Sequence, residues 1–94
     1  MNLHEKYRGS YENNIFFTEG DIKEHYTVLE RLKKTSMRQN SNLKKIKESL
    51  AYDAAMMGAD AVIHFKYGQK KSLFTLWDNT KWVVEGTVIK LNRN

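Results

Sequence analysis

A helix that stops at a glycine and turns straight into a strand constrains this chain more than any other feature. Leu43, Ile46, Leu50, Ala54 and Met57 recur at spacings of 3, 4, 4 and 3 residues. That rhythm lines them along one stripe of an α-helix, and Ala51 and Ala55 widen the stripe. The polar run from Thr35 to Asn42 offers an N-cap at Asn40 or Ser41, where a short side-chain oxygen accepts from an orphan backbone N–H. Gly58 ends the helix, because glycine takes the left-handed conformation of a terminating residue at no steric cost. A helix of about 17 residues spans roughly 25 Å, enough to cover one face of a small sheet.

The rest of the chain reads as strands. Ile15-Phe16-Phe17-Thr18 is a short apolar strand closed by Glu19-Gly20-Asp21, and His25 to Leu32 is a second. After the helix, Asp60 opens a strand from Ala61 to Tyr67, with Ile63, Phe65 and Tyr67 expected on one side and Val62, His64 and Lys66 on the other. Gly68-Gln69-Lys70-Lys71 reads as a turn, Ser72 to Trp77 as a fourth strand, Asp78-Asn79-Thr80 as a tight connection and Lys81 to Leu91 as a fifth strand. The expected fold class is therefore α+β, a single helix packed on a mostly antiparallel sheet in the order β-β-α-β-β-β. Residues 1–14 show neither helical nor alternating periodicity and are expected to form a flexible N-terminal segment ahead of a single domain over 15–94.

At 94 residues there is room for one modest core. Cysteine is absent, which excludes disulfides and thiolate zinc sites. Met1 to Ser10 hold His4, Glu5, Lys6 and Arg8 rather than an apolar segment, so no signal peptide is read there. No stretch approaches the roughly 20 apolar residues of a membrane span, and a cytoplasmic setting without membrane contact is expected.

One helix covers one face, yet both faces of the sheet read as apolar. In the expected fourth strand Leu73 and Trp77 oppose Phe74 and Leu76. In the fifth, Trp82, Val84 and Val88 oppose Val83, Ile89 and Leu91. Large apolar patches seldom face water, so the pattern favours self-association; the alternative is that the N-terminal segment or the loop 33–42 folds over the second face. Tyr52 and Met56, one turn apart off the main stripe, are a further contact candidate. The expected interface is Tyr52, Met56, Phe74, Leu76, Trp77 and Trp82.

The net charge of +5 is concentrated in one place. Arg31, Lys33, Lys34, Arg38, Lys44, Lys45 and Lys47 fall within residues 31–47, a candidate surface for an anionic small molecule or nucleic acid. His4, His25 and His64 lack the spacing by which one chain converges ligands on a metal, which leaves only a site completed between subunits. No nucleophile elbow, Gly-rich phosphate loop or Walker sequence occurs, so neither catalysis nor a cofactor is expected.

The string Ala51-Tyr52-Asp53-Ala54-Ala55-Met56-Met57-Gly58-Ala59-Asp60-Ala61-Val62-Ile63, followed by Glu85-Gly86-Thr87-Val88-Ile89-Lys90-Leu91, resembles the YbjQ-like family of small bacterial proteins. Tyr26-Thr27-Val28-Leu29 matches an early pattern of that family, with Glu30 standing where its glycine falls. The resemblance covers residues 15–91 and implies a dodecin-like α+β fold that closes into a ring, commonly a pentamer. The family is often labelled heavy-metal-binding, a label that no cysteine or converging histidine supports here. The expectation is a non-enzymatic homo-oligomeric small-ligand-binding or scaffold protein. Anion or nucleic-acid binding through residues 31–47, and metal binding between subunits, are the alternatives.

Overall fold

The computed structural model describes residues 3–35, 43–71 and 80–92. A short 3-10 turn, Leu3–Glu5, is followed by β1 (Ser10–Glu12), β2 (Ile15–Phe17), β3 (Tyr26–Thr35), α1 (Leu43–Met56), β4 (Ala61–Lys71) and β5 (Thr80–Leu91). The five strands form one mixed sheet in the order β1-β2-β4-β5-β3, with α1 packed on it. The α+β class stands. Among the described residues, however, the chain runs β-β-β-α-β-β rather than β-β-α-β-β-β, and β2 pairs with β4 in parallel.

The helix forms as its apolar spacing requires. Ile46, Leu50, Ala51 and Ala54 are buried, and the end closes on Gly58, whose φ is 76°. The Gly58 N–H donates to the Ala55 carbonyl (3.0 Å) and the Ala59 N–H to the Ala54 carbonyl (3.0 Å). These paired bonds are the Schellman arrangement, which satisfies the last carbonyls of a helix. Asp60 then fixes the turn into β4. Its N–H donates to the Ile89 carbonyl at 2.9 Å, and its Oδ2 accepts from the Leu91 N–H at 2.8 Å.

Three expectations change. The segment read as loose supplies β1, joined to β2 through Asn13 and Asn14 at φ 51° and 64°, the left-handed pair that a two-residue hairpin turn demands. Gly68 to Lys71, read as a turn, continues β4, and Lys71 pairs with Thr80. The expected strand Ser72 to Trp77 lies outside the described residues.

The third change is a bulge. His64 has a φ of 53°, and the β4–β5 register slips between Ile63 and Lys66. The cause is tertiary. The His64 N–H turns to the Gly20 carbonyl and the Phe65 N–H to the Thr18 carbonyl, both at 3.0 Å, so β4 grips the segment leaving β2. An inserted residue reverses the alternation downstream. Phe65 therefore leaves the side of Ile63 and joins Val62, Val84 and Val88 under the helix.

Among the described residues, the buried apolar cluster of the second face lies at one end. There Leu3, Phe16, Ile22, Ala61, Ile63 and Ile89 form a buried cluster flanked by Tyr7, Tyr26 and Leu91, so residues 3–26 of the same chain cover it. Leu3 is held by its N–H donating to the Tyr11 hydroxyl at 3.1 Å. The other end carries Lys33, Glu85 and Lys66 as cross-strand neighbours on β3, β5 and β4. It is a charged surface.

Candidate functional site

Where the first turns of α1 leave the sheet, a cavity of about 510 Å³ opens between the helix, β4 and the segment around β1. Its floor follows from the bulge. Phe17 and Phe65 meet edge-to-face at 5.2 Å, Tyr67 continues the row at 5.7 Å, and beyond the cavity Trp82 packs on Tyr67 at 6.4 Å. Leu43 forms a wall, while Arg8, Ser10, Thr18, Glu19 and Gly20 form the rim. The rim is fixed from within. The Thr18 hydroxyl donates to the Arg8 carbonyl at 2.8 Å, and a Cβ at Gly9 would strike the Phe17 carbonyl oxygen.

Lys47 reaches into this cavity. Its ammonium lies 5.0 Å from the Phe17 ring centroid and 5.4 Å from that of Phe65, and donates to the Ser10 hydroxyl at 2.7 Å. These partners are neutral, and none supplies a full countercharge. The first turn of α1 contains no acidic residue, so the positive end of the helix dipole adds to the field of Lys47.

The other basic residues scatter. Lys34 pairs with Asp53 at 2.5 Å and with Ser49 at 2.9 Å on the helix side. Arg31 and Lys33 line a different cavity, of about 420 Å³, with Lys66, His64 and Glu85. Lys44 and Lys45 are exposed on α1, and Arg38 lies outside the described residues. Strand alternation and helical rotation thus divide a run that is continuous in sequence.

Of the expected interface, Tyr52 and Met56 are 59% and 72% exposed. Trp82 instead packs partly buried against the helix-side core. Phe74, Leu76 and Trp77 lie outside the described residues.

A polar clasp ties the covering segment to the sheet. Asp21 accepts from the Ile22 N–H (2.7 Å) and the Tyr26 hydroxyl (3.0 Å), and lies 3.5 Å from His64 Nε2. The Ile22 and Tyr26 bonds, with His64 behind them, hold its carboxyl below the usual range. Tyr7 donates to Glu24 at 2.5 Å, which holds the Tyr7 phenol above its usual range, and Asp21 does the same to Tyr26. Among the described residues no three His, Cys, Asp or Glu side chains gather as metal ligands. His64 faces Asp21, while His25 lines a separate cavity with Glu24 and Asp60.

The aromatic floor was not legible as a site. Phe17, Phe65 and Tyr67 come from two strands, and only the bulge brings them to one face. Their sequence signal is that of ordinary core residues.

Among the described residues, fold and site together define an α+β domain with one α-helix on a five-stranded mixed sheet and a mixed aromatic and charged cavity at the helix start. A protein with unknown function which belongs to the DUF74 family, from Pediococcus pentosaceus ATCC 25745, has a similar solved structure: TM-score 0.66, 22% identity, covering 83% of this chain and 98% of that one. At that identity the likeness is one of fold. No protein-family model and no curated protein matches the chain. No helix among the described residues is long and apolar enough to cross a membrane.

Proposed function

We propose that this protein is a non-enzymatic binding protein that holds a small anionic ligand in the cavity at the start of α1. The observation that carries the reading is Lys47, a half-buried residue whose ammonium faces two aromatic rings and a serine hydroxyl. An ammonium whose near partners are neutral rings and a hydroxyl gains a charge-assisted hydrogen bond from an incoming anion. The cavity, at about 510 Å³, falls within the range of small-molecule sites. The test pairs an acid with its neutral counterpart, octanoate against octanol. Octanoate should bind about tenfold more tightly, the scale of one charge-assisted hydrogen bond, and Lys47→Met should remove the preference. Equal affinities in the unaltered protein would end this reading.

Self-association is a second reading, favoured by Tyr52 and Met56, which stand exposed one turn apart on the outer side of α1. Together with the YbjQ-like string at 51–63, they support a ring in which that helix face meets a neighbouring copy. Native mass spectrometry checks it: a multimer that Tyr52→Glu disperses is expected, and a monomer at tens of micromolar would overturn it.

A further inference from the structure

The floor of the cavity says more about its ligand than the lysine does. Phe17, Phe65 and Tyr67 line the cavity, and Trp82 continues the row outside it, at successive centroid distances of 5.2, 5.7 and 6.4 Å with planes inclined at 66°, 47° and 43°. Such inclined packing is the arrangement aromatic rings prefer, because the electron-poor edge of one meets the electron-rich face of the next. The row is not finished. Phe17 and Phe65 are buried, while Tyr67, in the same row and facing the same cavity, is 52% exposed. Lys47 occupies the ring faces at the Phe17–Phe65 end, so the exposed aromatic surface is that of Tyr67, and Leu43 adds an apolar residue to the same cavity lining.

From this we infer that the ligand is a planar aromatic anion, its ring laid on Tyr67 against Leu43 and its acidic group turned toward Lys47 and Arg8. The inference rests on the anion-binding reading above and adds the chemical class of the ligand's body. A flexible aliphatic acid would satisfy Lys47 equally but would forgo the edge and face contacts with Tyr67 and lose rotational freedom on being ordered. A planar ring loses little. Two sources share this chemistry, an aromatic carboxylic acid and a nucleoside monophosphate, in which the base replaces the ring and the phosphate the carboxylate.

Calorimetric titration of the full chain with 2-naphthoate, octanoate, 2-naphthalenemethanol and adenosine monophosphate tests the assignment. 2-Naphthoate should bind about fivefold to tenfold more tightly than octanoate, the scale of one well-placed aromatic contact. Tyr67→Ala, a change at an exposed side chain, should bring the two acids to the same affinity while leaving the thermal midpoint near that of the unaltered protein. Tyr67→Phe should retain the difference. Adenosine monophosphate binding more tightly than 2-naphthoate supports the inference and points to the nucleotide source, and the reverse order points to the carboxylic acid. Octanoate equal to or tighter than 2-naphthoate overturns the aromatic assignment and leaves the anion reading intact. 2-Naphthalenemethanol matching 2-naphthoate overturns the anion reading, and silence from all four probes at millimolar concentration overturns both.

Discussion

The two faces of the sheet are closed by different means. On one, a helix lays a continuous stripe over Val62, Phe65, Val84 and Val88, with the cluster buried throughout. On the other, a short turn and an irregular segment cap a smaller cluster around Ile63 and Ile89, while Lys33, Glu85 and Lys66 stay beyond that cover. The helix supplies its own backbone hydrogen bonds and so spends its side chains on packing. The covering segment must satisfy its backbone through side chains such as Tyr7, Tyr11, Thr18 and Asp21. Regular structure closes a face by periodicity, irregular structure by individually placed polar contacts.

That contrast can be broken from either side. The largest loss is expected at Leu50, fully buried on α1: Leu50→Ala should cost about 2–5 kcal/mol of unfolding free energy in a denaturant titration. Leu3→Ala on the opposite face should fall near the bottom of that range or under it, since a three-residue 3-10 turn relaxes into the space more readily than a helix locked by its neighbours. Equal losses would mean that both faces are equally rigid. Gly86→Ala should cost about 1–3 kcal/mol, because a Cβ there would run into Val62 Cγ1 under the helix. Lys34→Ala probes the partly exposed bond to Asp53 and should cost no more than about 1 kcal/mol.

The smallest effect, and the sharpest test of the covering segment, depends on pH. The Asp21 carboxyl is held below its usual range, first by the Ile22 N–H and then by Tyr26. Its contribution is therefore complete above the ordinary carboxylate pKa and is lost as pH falls through the lowered value. Thermal melts of the protein and of Asp21→Asn should differ by a constant amount near neutrality and converge in strong acid. A gap that widens on acidification would overturn the assignment.

The sequence disclosed those parts of the fold that follow from local periodicity. The stripe at Ile46, Leu50 and Ala54, the glycine stop, and the alternation of Val84 and Val88 against Ile89 all appear as read. Met57 does not, because the cap at Gly58 has begun to unwind the stripe and leaves it exposed. The bulge at His64 was not legible, since the residue there is no glycine and the hydrogen bonds that impose it come from Thr18 and Gly20, more than forty positions upstream. Lys47 was legible as a charge but not as part of a cavity, which needed Phe65 on the helix side.

The parallel pairing of β2 with β4 also sets an order of events during synthesis. Phe16 and Phe17 leave the ribosome about 45 residues before Ala61 and Val62, with which they pair. At roughly 5–20 residues per second the delay is about 2–9 s. Through that interval the apolar triplet Ile15-Phe16-Phe17 has only the short β1 strand of its own hairpin to pair with and is open to chaperones or to other nascent chains. Protease digestion of ribosome-stalled chains should show cleavage beside Phe17 while translation has not passed β4, and protection once β4 and β5 have both emerged.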